Sequence, residues 1–211
     1  MRARKRMMVE SEKHIEYHSN GKVKETCVLK DGQLDGEVIT YTEAGRITQE
    51  ANFAEGKLDG DAAIYDEKGL PAQKMTFKDG QLDGQMSIYN EGVLQVMSTY
   101  KDGQLEGDFI TYDENENVVQ KAKYAGGKLN GEAIWYNAAG ALIKRSQFRD
   151  GKLDGVTIEY YPNGQVQTAS QYKSNKLHGE VVGYSPEGIV VLRAYYIDGK
   201  PAPFPLLPPD A

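Results

Sequence analysis

The chain has 211 residues, 39% hydrophobic and 27% charged, with a formal net charge of -6 at pH 7. That balance argues against general nucleic-acid affinity, which needs a basic surface, and favours solubility or a basic protein partner. One cysteine, Cys27, excludes an internal disulfide, three scattered histidines give no metal spacing, and no run approaches the roughly 20 apolar residues of a membrane helix.

In chain order, Met1 to Met8 carries Arg2, Arg4, Lys5 and Arg6 in the manner of a signal n-region. Val9 to His14 turns polar where an apolar h-region is required, so residues 1–14 read as a basic, disordered tail and the location as cytoplasmic. Ile15 to Val23 matches part of the unit that follows and reads as a degenerate first repeat, after which Cys27 reads as a buried, inert thiol. Then come seven turns of the form Gly-x-Leu-x-Gly or close to it, starting at Asp31, Glu55, Asp79, Asp102, Gly126, Asp150 and Ser174. Their spacing of 24 residues, once 23, is the mark of an array whose units bury apolar surface only against neighbours.

Within one unit the run Asp31 to Gly36 supplies two glycines for a reversal, Glu37–Tyr41 reads as a strand, Thr42–Gly45 reverses the chain, and Ile47–Phe53 runs back. No helix-length periodic stretch interrupts the series. The expectation is an all-β fold: an elongated, twisted, single-layer antiparallel meander of about eight hairpins over residues 15–199. Alternation places Ile39 with Tyr41 and places Ala51 with Phe53, and the two pairs of columns read as one apolar stripe. After Gly199, five prolines between Pro201 and Pro209 argue against a ladder strand, so residues 200–211 read as a capping tail.

Gly-Lys-Leu-Asp-Gly, four residues, Tyr, a second turn glycine and an aromatic-ended return strand together resemble the MORN-repeat variant of the YwqK-type antitoxin family, from about Ile15 to Gly199. The pattern departs at Asn90–Gly92, where the turn is one residue short, and at Glu116, which replaces a glycine. The resemblance implies a non-enzymatic bacterial antitoxin or immunity protein that neutralises a toxin by direct binding. The alternative it implies is a structural or membrane-associated scaffold.

Two surfaces emerge as candidates. The turn carboxylates Asp31, Asp35, Glu55, Asp59, Asp79, Asp83, Asp102, Glu106, Asp150, Asp154 and Asp198 line one edge and can steer a toxin with a basic surface. They occupy only the first and fifth turn positions, which does not build an EF-hand, and no nucleophile elbow or phosphate loop accompanies them, so neither metal, cofactor nor catalysis is expected. Phe109 and Trp135 stand where other repeats have smaller residues. Alternation groups Met86, Ile88, Met97, Phe109, Val119, Trp135 and Ile143 on the face opposite the stripe, with Arg145 nearby, as a partner-binding centre. Basic Lys74, Lys121, Arg145 and Arg193 fall on that opposite face too, where a membrane-headgroup role is the weaker reading, because it needs clusters of Lys and Arg without surrounding acids. The toxin's identity and the oligomeric state are not encoded in these patterns.

Overall fold

The computed structural model describes residues 11–205. The chain folds as an open antiparallel β-meander, with no helix among the described residues. Two compact units divide it, residues 1–104 and 105–211. The first contains β1 (Ser11–Tyr17), β2 (Val23–Lys30), β3 (Gln33–Leu34), β4 (Gly36–Tyr41), β5 (Ile47–Ala54), β6 (Lys57–Tyr65), β7 (Pro71–Lys78), β8 (Gln81–Asn90) and β9 (Val93–Lys101). The second contains β10 (Gln104–Tyr112), whose first residue belongs to the first unit, β11 (Val118–Ala125), β12 (Lys128–Tyr136), β13 (Leu142–Arg149), β14 (Lys152–Tyr160), β15 (Val166–Lys173), β16 (Lys176–Tyr184), β17 (Val190–Ile197) and β18 (Lys200–Ala202).

The Asp-Gly pairs make this topology locally. Asp31 and Gly32 have φ of 52° and 77°, and Asp150 and Gly151 have 50° and 79°. Both central residues left-handed is the two-residue hairpin turn whose twist matches flanking strands, and Asp-Gly is its preferred sequence. The departures noted in the sequence fit the same rule. Glu91 and Gly92, at 50° and 82°, close β8 onto β9 by such a turn in place of the longer one, and Glu116 takes a left-handed φ of 60° where other repeats have glycine.

Each turn is also tied to the one before it. The N–H of Gly56 donates to the Leu34 carbonyl and that of Gly80 to Leu58, both at 2.8 Å. In the second unit Gly151 bonds Leu129 in the same way. One such bond per repeat couples neighbours along an edge, which is how a linear array acquires its cooperativity.

Register settles which side chains share a face. Val38 stands opposite Ala51, and Ala51 opposite Ala62. Phe53 stands opposite both Gly36 and Leu58. The second unit repeats this with Ala133 opposite Ser146, and Phe148 opposite Gly131 and Leu153. This face holds the core, because Ala51, Ser98, Ala122, Ala133 and Ser146 are all at most 3% exposed. Cys27 lies buried there too, and that burial pushes its thiol pKa up, which suppresses the reactive thiolate.

The single apolar stripe expected from alternation is therefore two stripes on opposite faces. Ile39 pairs with Glu50 and Ile134 with Arg145, so the Ile39 and Tyr41 columns point away from the Ala51 and Phe53 columns. The reason is a one-residue bulge at Thr40/Tyr41, recurring in later repeats, which reverses the facing across the hairpin, whereas the shift at Ala51/Phe53 is of two residues and keeps Ala51, Phe53 and Leu58 on one face. Of the turn residues, the leucine joins the core face opposite the aromatic, a column that alternation alone does not reveal.

Two boundaries also move. β1 begins at Ser11 and pairs with β2, so residues 11–14 of the expected tail are ladder residues, while the disorder expected for the rest of it falls outside the described residues. At the other end, Pro201 does sit in a strand, opposite Tyr196. An edge strand tolerates it, since the missing N–H has an outward side to face.

Candidate protein-binding surfaces

The carboxylate edge is first a hydrogen-bond ladder. Asp59 accepts the N–H of Asp79 at 3.1 Å, Asp83 that of Asp102 at 3.2 Å, and Asp35 that of Glu55 at 3.4 Å. In the second unit Glu106 accepts the Gly126 N–H at 2.8 Å and Asp154 that of Ser174 at 3.3 Å. The fifth turn position thus holds the first residue of the next turn, and His178 takes this role toward the N–H of Asp198 at 3.4 Å. The first positions, Asp31, Asp79, Asp102 and Asp150, carry the left-handed backbone instead. Aspartate recurs here for turn geometry and for locking neighbours, and its charge is available in addition. Among the described residues, no group of three or more His, Cys, Asp or Glu side chains is placed to hold a metal ion.

The eight residues grouped as a partner-binding centre do not share one face. In the first unit Met86 lies opposite Ser98 and Ile88 opposite Val96, on the core face, whereas Met97 lies opposite Ser87 on the reverse. In the second unit Phe109 pairs with Ala122 and Trp135 with Gln120, again on the core face. Arg145 faces the reverse opposite Ile134, and Ile143 lies two residues before it on the same strand. Val119 precedes Lys121 by the same interval, and Lys121 stands opposite Ile110 on that reverse face. Both Val119 and Ile143 are exposed.

Phe109 and Trp135 also differ from each other. Phe109 is half-buried and packs on Tyr124 at 5.7 Å between ring centroids, beside the buried Ala122. Trp135 is half-buried as well, but its neighbour is a cation, with the Lys144 ammonium 5.8 Å from its ring and that ammonium 3.3 Å from Glu159. A tryptophan ring flanked by a paired cation is a surface feature of the kind that anchors partners.

Sequence reasoning missed a groove on the reverse face of the first unit. It encloses about 430 Å³ and is lined by Glu37, Glu50, Asp61, Tyr65, Lys74 and Tyr89 around a floor of Ala63 and Ser87. The floor residues explain it. One row across the strands reads Glu50, Ala63, Lys74, Ser87, and the same column in other repeats carries Ile39, Ile110, Ile134 and Ile158. Replacing two isoleucines by alanine and serine on alternate strands hollows the face. The column was visible in the sequence, but without register its small members could not be seen to face one another across Lys74.

The groove's walls are ordered by their own contacts. Tyr65 donates its hydroxyl to Glu50 Oε2 at 2.8 Å, and Thr76 donates to Asp61 Oδ1 at 2.9 Å. The Lys74 ammonium sits 5.9 Å from the Tyr89 ring centre. The bond to Glu50 raises the Tyr65 pKa, with burial and the negative charge adding to it, so the phenol stays a donor. Three carboxylates face one ammonium, and two phenol rings flank them. Such a concavity attracts cationic side chains and offers them carboxylate and aromatic partners together.

No curated protein matches the chain. Residues 105–125 and 153–174, each reaching from a turn leucine past an aromatic of the return strand, match the MORN repeat variant, so the repeat character read from the sequence rests on an independent match as well as on the fold.

Proposed function

We propose that the chain is a non-enzymatic protein-binding module of the antitoxin or immunity type, which neutralises a basic bacterial toxin by direct binding in the cytoplasm. MORN repeats are in general protein- or membrane-binding repeats, which supports the binding part of this reading. The observation that carries it is the acidic, tyrosine-flanked groove over Ala63 and Ser87. Its carboxylates complement a cationic partner surface, and the net charge of -6 would speed encounter with one. A scaffold role on membranes is the second reading, but anionic headgroups would meet Glu37, Glu50 and Asp61 unfavourably at this groove.

Affinity capture from the native host followed by expression of the captured protein tests the proposal. A captured basic protein that arrests growth alone, and is silenced when this chain is co-expressed, is the expected result. A captured protein that is harmless alone would remove the antitoxin role and leave only protein binding. Binding to anionic vesicles with no protein captured would favour the scaffold.

A further inference from the structure

The groove over Ala63 and Ser87 carries more negative charge than its own lysine offsets. Among the described residues none of Glu37, Glu50 and Asp61 makes an ion pair, and the Lys74 ammonium lies by the Tyr89 ring instead. Glu50 engages only Oε2 with Tyr65 and Asp61 only Oδ1 with Thr76, so each keeps a second acceptor oxygen. The three carboxylates stand on the successive strands β4, β5 and β6 and span roughly 10 Å across the sheet at about 4.8 Å per strand.

The same unit carries a cationic segment close by. Residues 1–10 hold Arg2, Arg4, Lys5 and Arg6 against one acid, Glu10, and lead directly into β1 at Ser11. Ser11 stands opposite Lys30, and the register from β1 through β2 and β4 to β5 and β6 puts it about 12 Å from Glu37 and about 20 Å from Glu50 and Asp61 in the plane of the sheet. Extended chain covers up to about 17 Å from Ser11 back to Arg6 and about 23 Å back to Arg4. Arg6 therefore reaches Glu37, while Arg4 and Arg2 reach Glu50 and Asp61. The three arginines also alternate, which in an extended segment sets them on one side about 7 Å apart.

We propose that residues 1–10 fold back over the first unit and place these arginines in the groove, so that the free chain holds its own basic segment where a cationic partner docks. The inference rests on the reading of the groove as a site for cationic side chains. Guanidinium groups suit it, because they pair with the open carboxylate oxygens and lie against the Tyr65 and Tyr89 rings. Each contact is weak at a surface, but the tether presents the arginines at millimolar effective concentration. The turn carboxylates Asp31 and Asp35 are the competing acceptors near Ser11, yet Asp35 already holds the N–H of Glu55 and Lys30 repels the segment there. A partner binds by displacing the segment, which sets a threshold on its affinity.

Tryptic cleavage of the full chain, with the released N-terminal peptides followed by mass spectrometry, tests the docking. First cleavage after Arg4, Lys5 and Arg6 should be about tenfold faster in a variant combining Glu37→Gln, Glu50→Gln and Asp61→Asn than in wild type. Sheet dichroism should be unchanged, because the amides keep acceptors for Tyr65 and Thr76 and remove only charge. Wild type should approach the variant's rate at about 0.5 M salt, where charges are screened more strongly. Equal rates at low salt would overturn the proposal, as would acceleration by Asp31→Asn with Asp35→Asn and none by the groove variant. A tetra-arginine peptide separates this inference from the reading beneath it. The peptide should bind about fivefold more tightly to a chain carrying Arg2→Gln, Arg4→Gln and Arg6→Gln than to wild type, and not measurably to the groove variant. Peptide binding that needs the groove carboxylates but ignores the arginine substitutions would overturn the docked segment and leave the cation site standing. An absence of peptide binding in all three chains would overturn both.

Discussion

Ala63 and Ser87 shape the binding surface by what they lack, and the residues around them acquire roles from that space. The same logic separates Phe109 from Trp135. Phe109→Ala removes a ring packed on Tyr124 beside a buried alanine, and we expect it to cost about 2–4 kcal/mol in urea unfolding. Trp135→Ala should cost less, because its ring, half-buried like that of Phe109, lies against a lysine that can re-solvate and not against a second aromatic ring. Equal losses at the two sites would show that both rings are core. A pH effect is expected at Asp113, whose carboxyl is held below the usual carboxylate range by the Asn117 side chain first, then by the N–H groups of Asn117 and Asn115. A depressed folded pKa means that its stabilising contribution is present above the ordinary carboxylate range and fades as pH falls through the folded value. In an NMR titration the Asp113 carboxyl should therefore titrate below free aspartate, and Asn117→Ala should move it back up. No movement in that variant would remove the stated cause.

At the scale of the element, the turns were legible in the sequence and the faces were not. Asp-Gly names its turn because both residues must have positive φ, a local property. The assignment of Ile39 and Phe53 to one stripe failed because side-chain facing depends on register, and the one-residue bulge at Thr40/Tyr41 reverses it. The grouping of Met86 with Met97 and of Phe109 with Arg145 failed for the same reason. What composition did convey was that Trp135 and the small residues Ala63 and Ser87 break their columns, even though their neighbours stayed hidden. The turn ladder gives a further expectation. Asp59→Ala leaves the Asp79 N–H to water and should cost about 0.5–1.5 kcal/mol, the net worth of one hydrogen bond, with Asp59→Asn recovering part of it. Gly155→Ala should cost more, about 1–3 kcal/mol, since φ is 126° there and the new Cβ would meet Gln147 Cβ at 2.8 Å. Thermal melts of the three variants rank these effects, and an undisturbed Gly155→Ala would contradict the close approach of the two strands.

For the whole molecule, an all-β meander predicts far-ultraviolet dichroism of sheet with almost no helix, and a helix content above about one fifth would contradict it. The central claim is that the chain works by binding a protein in the groove of its first unit, and filling that groove tests it most directly. Ala63→Ile with Ser87→Ile restores the residue that other repeats carry in this column, so the fold should keep its melting temperature within a few degrees. Calorimetry of this double variant against the partner captured from the native host should show affinity at least about thirtyfold weaker than wild type, a loss of about 2 kcal/mol. Wild-type affinity in a variant whose groove is filled and whose fold is intact would contradict the account.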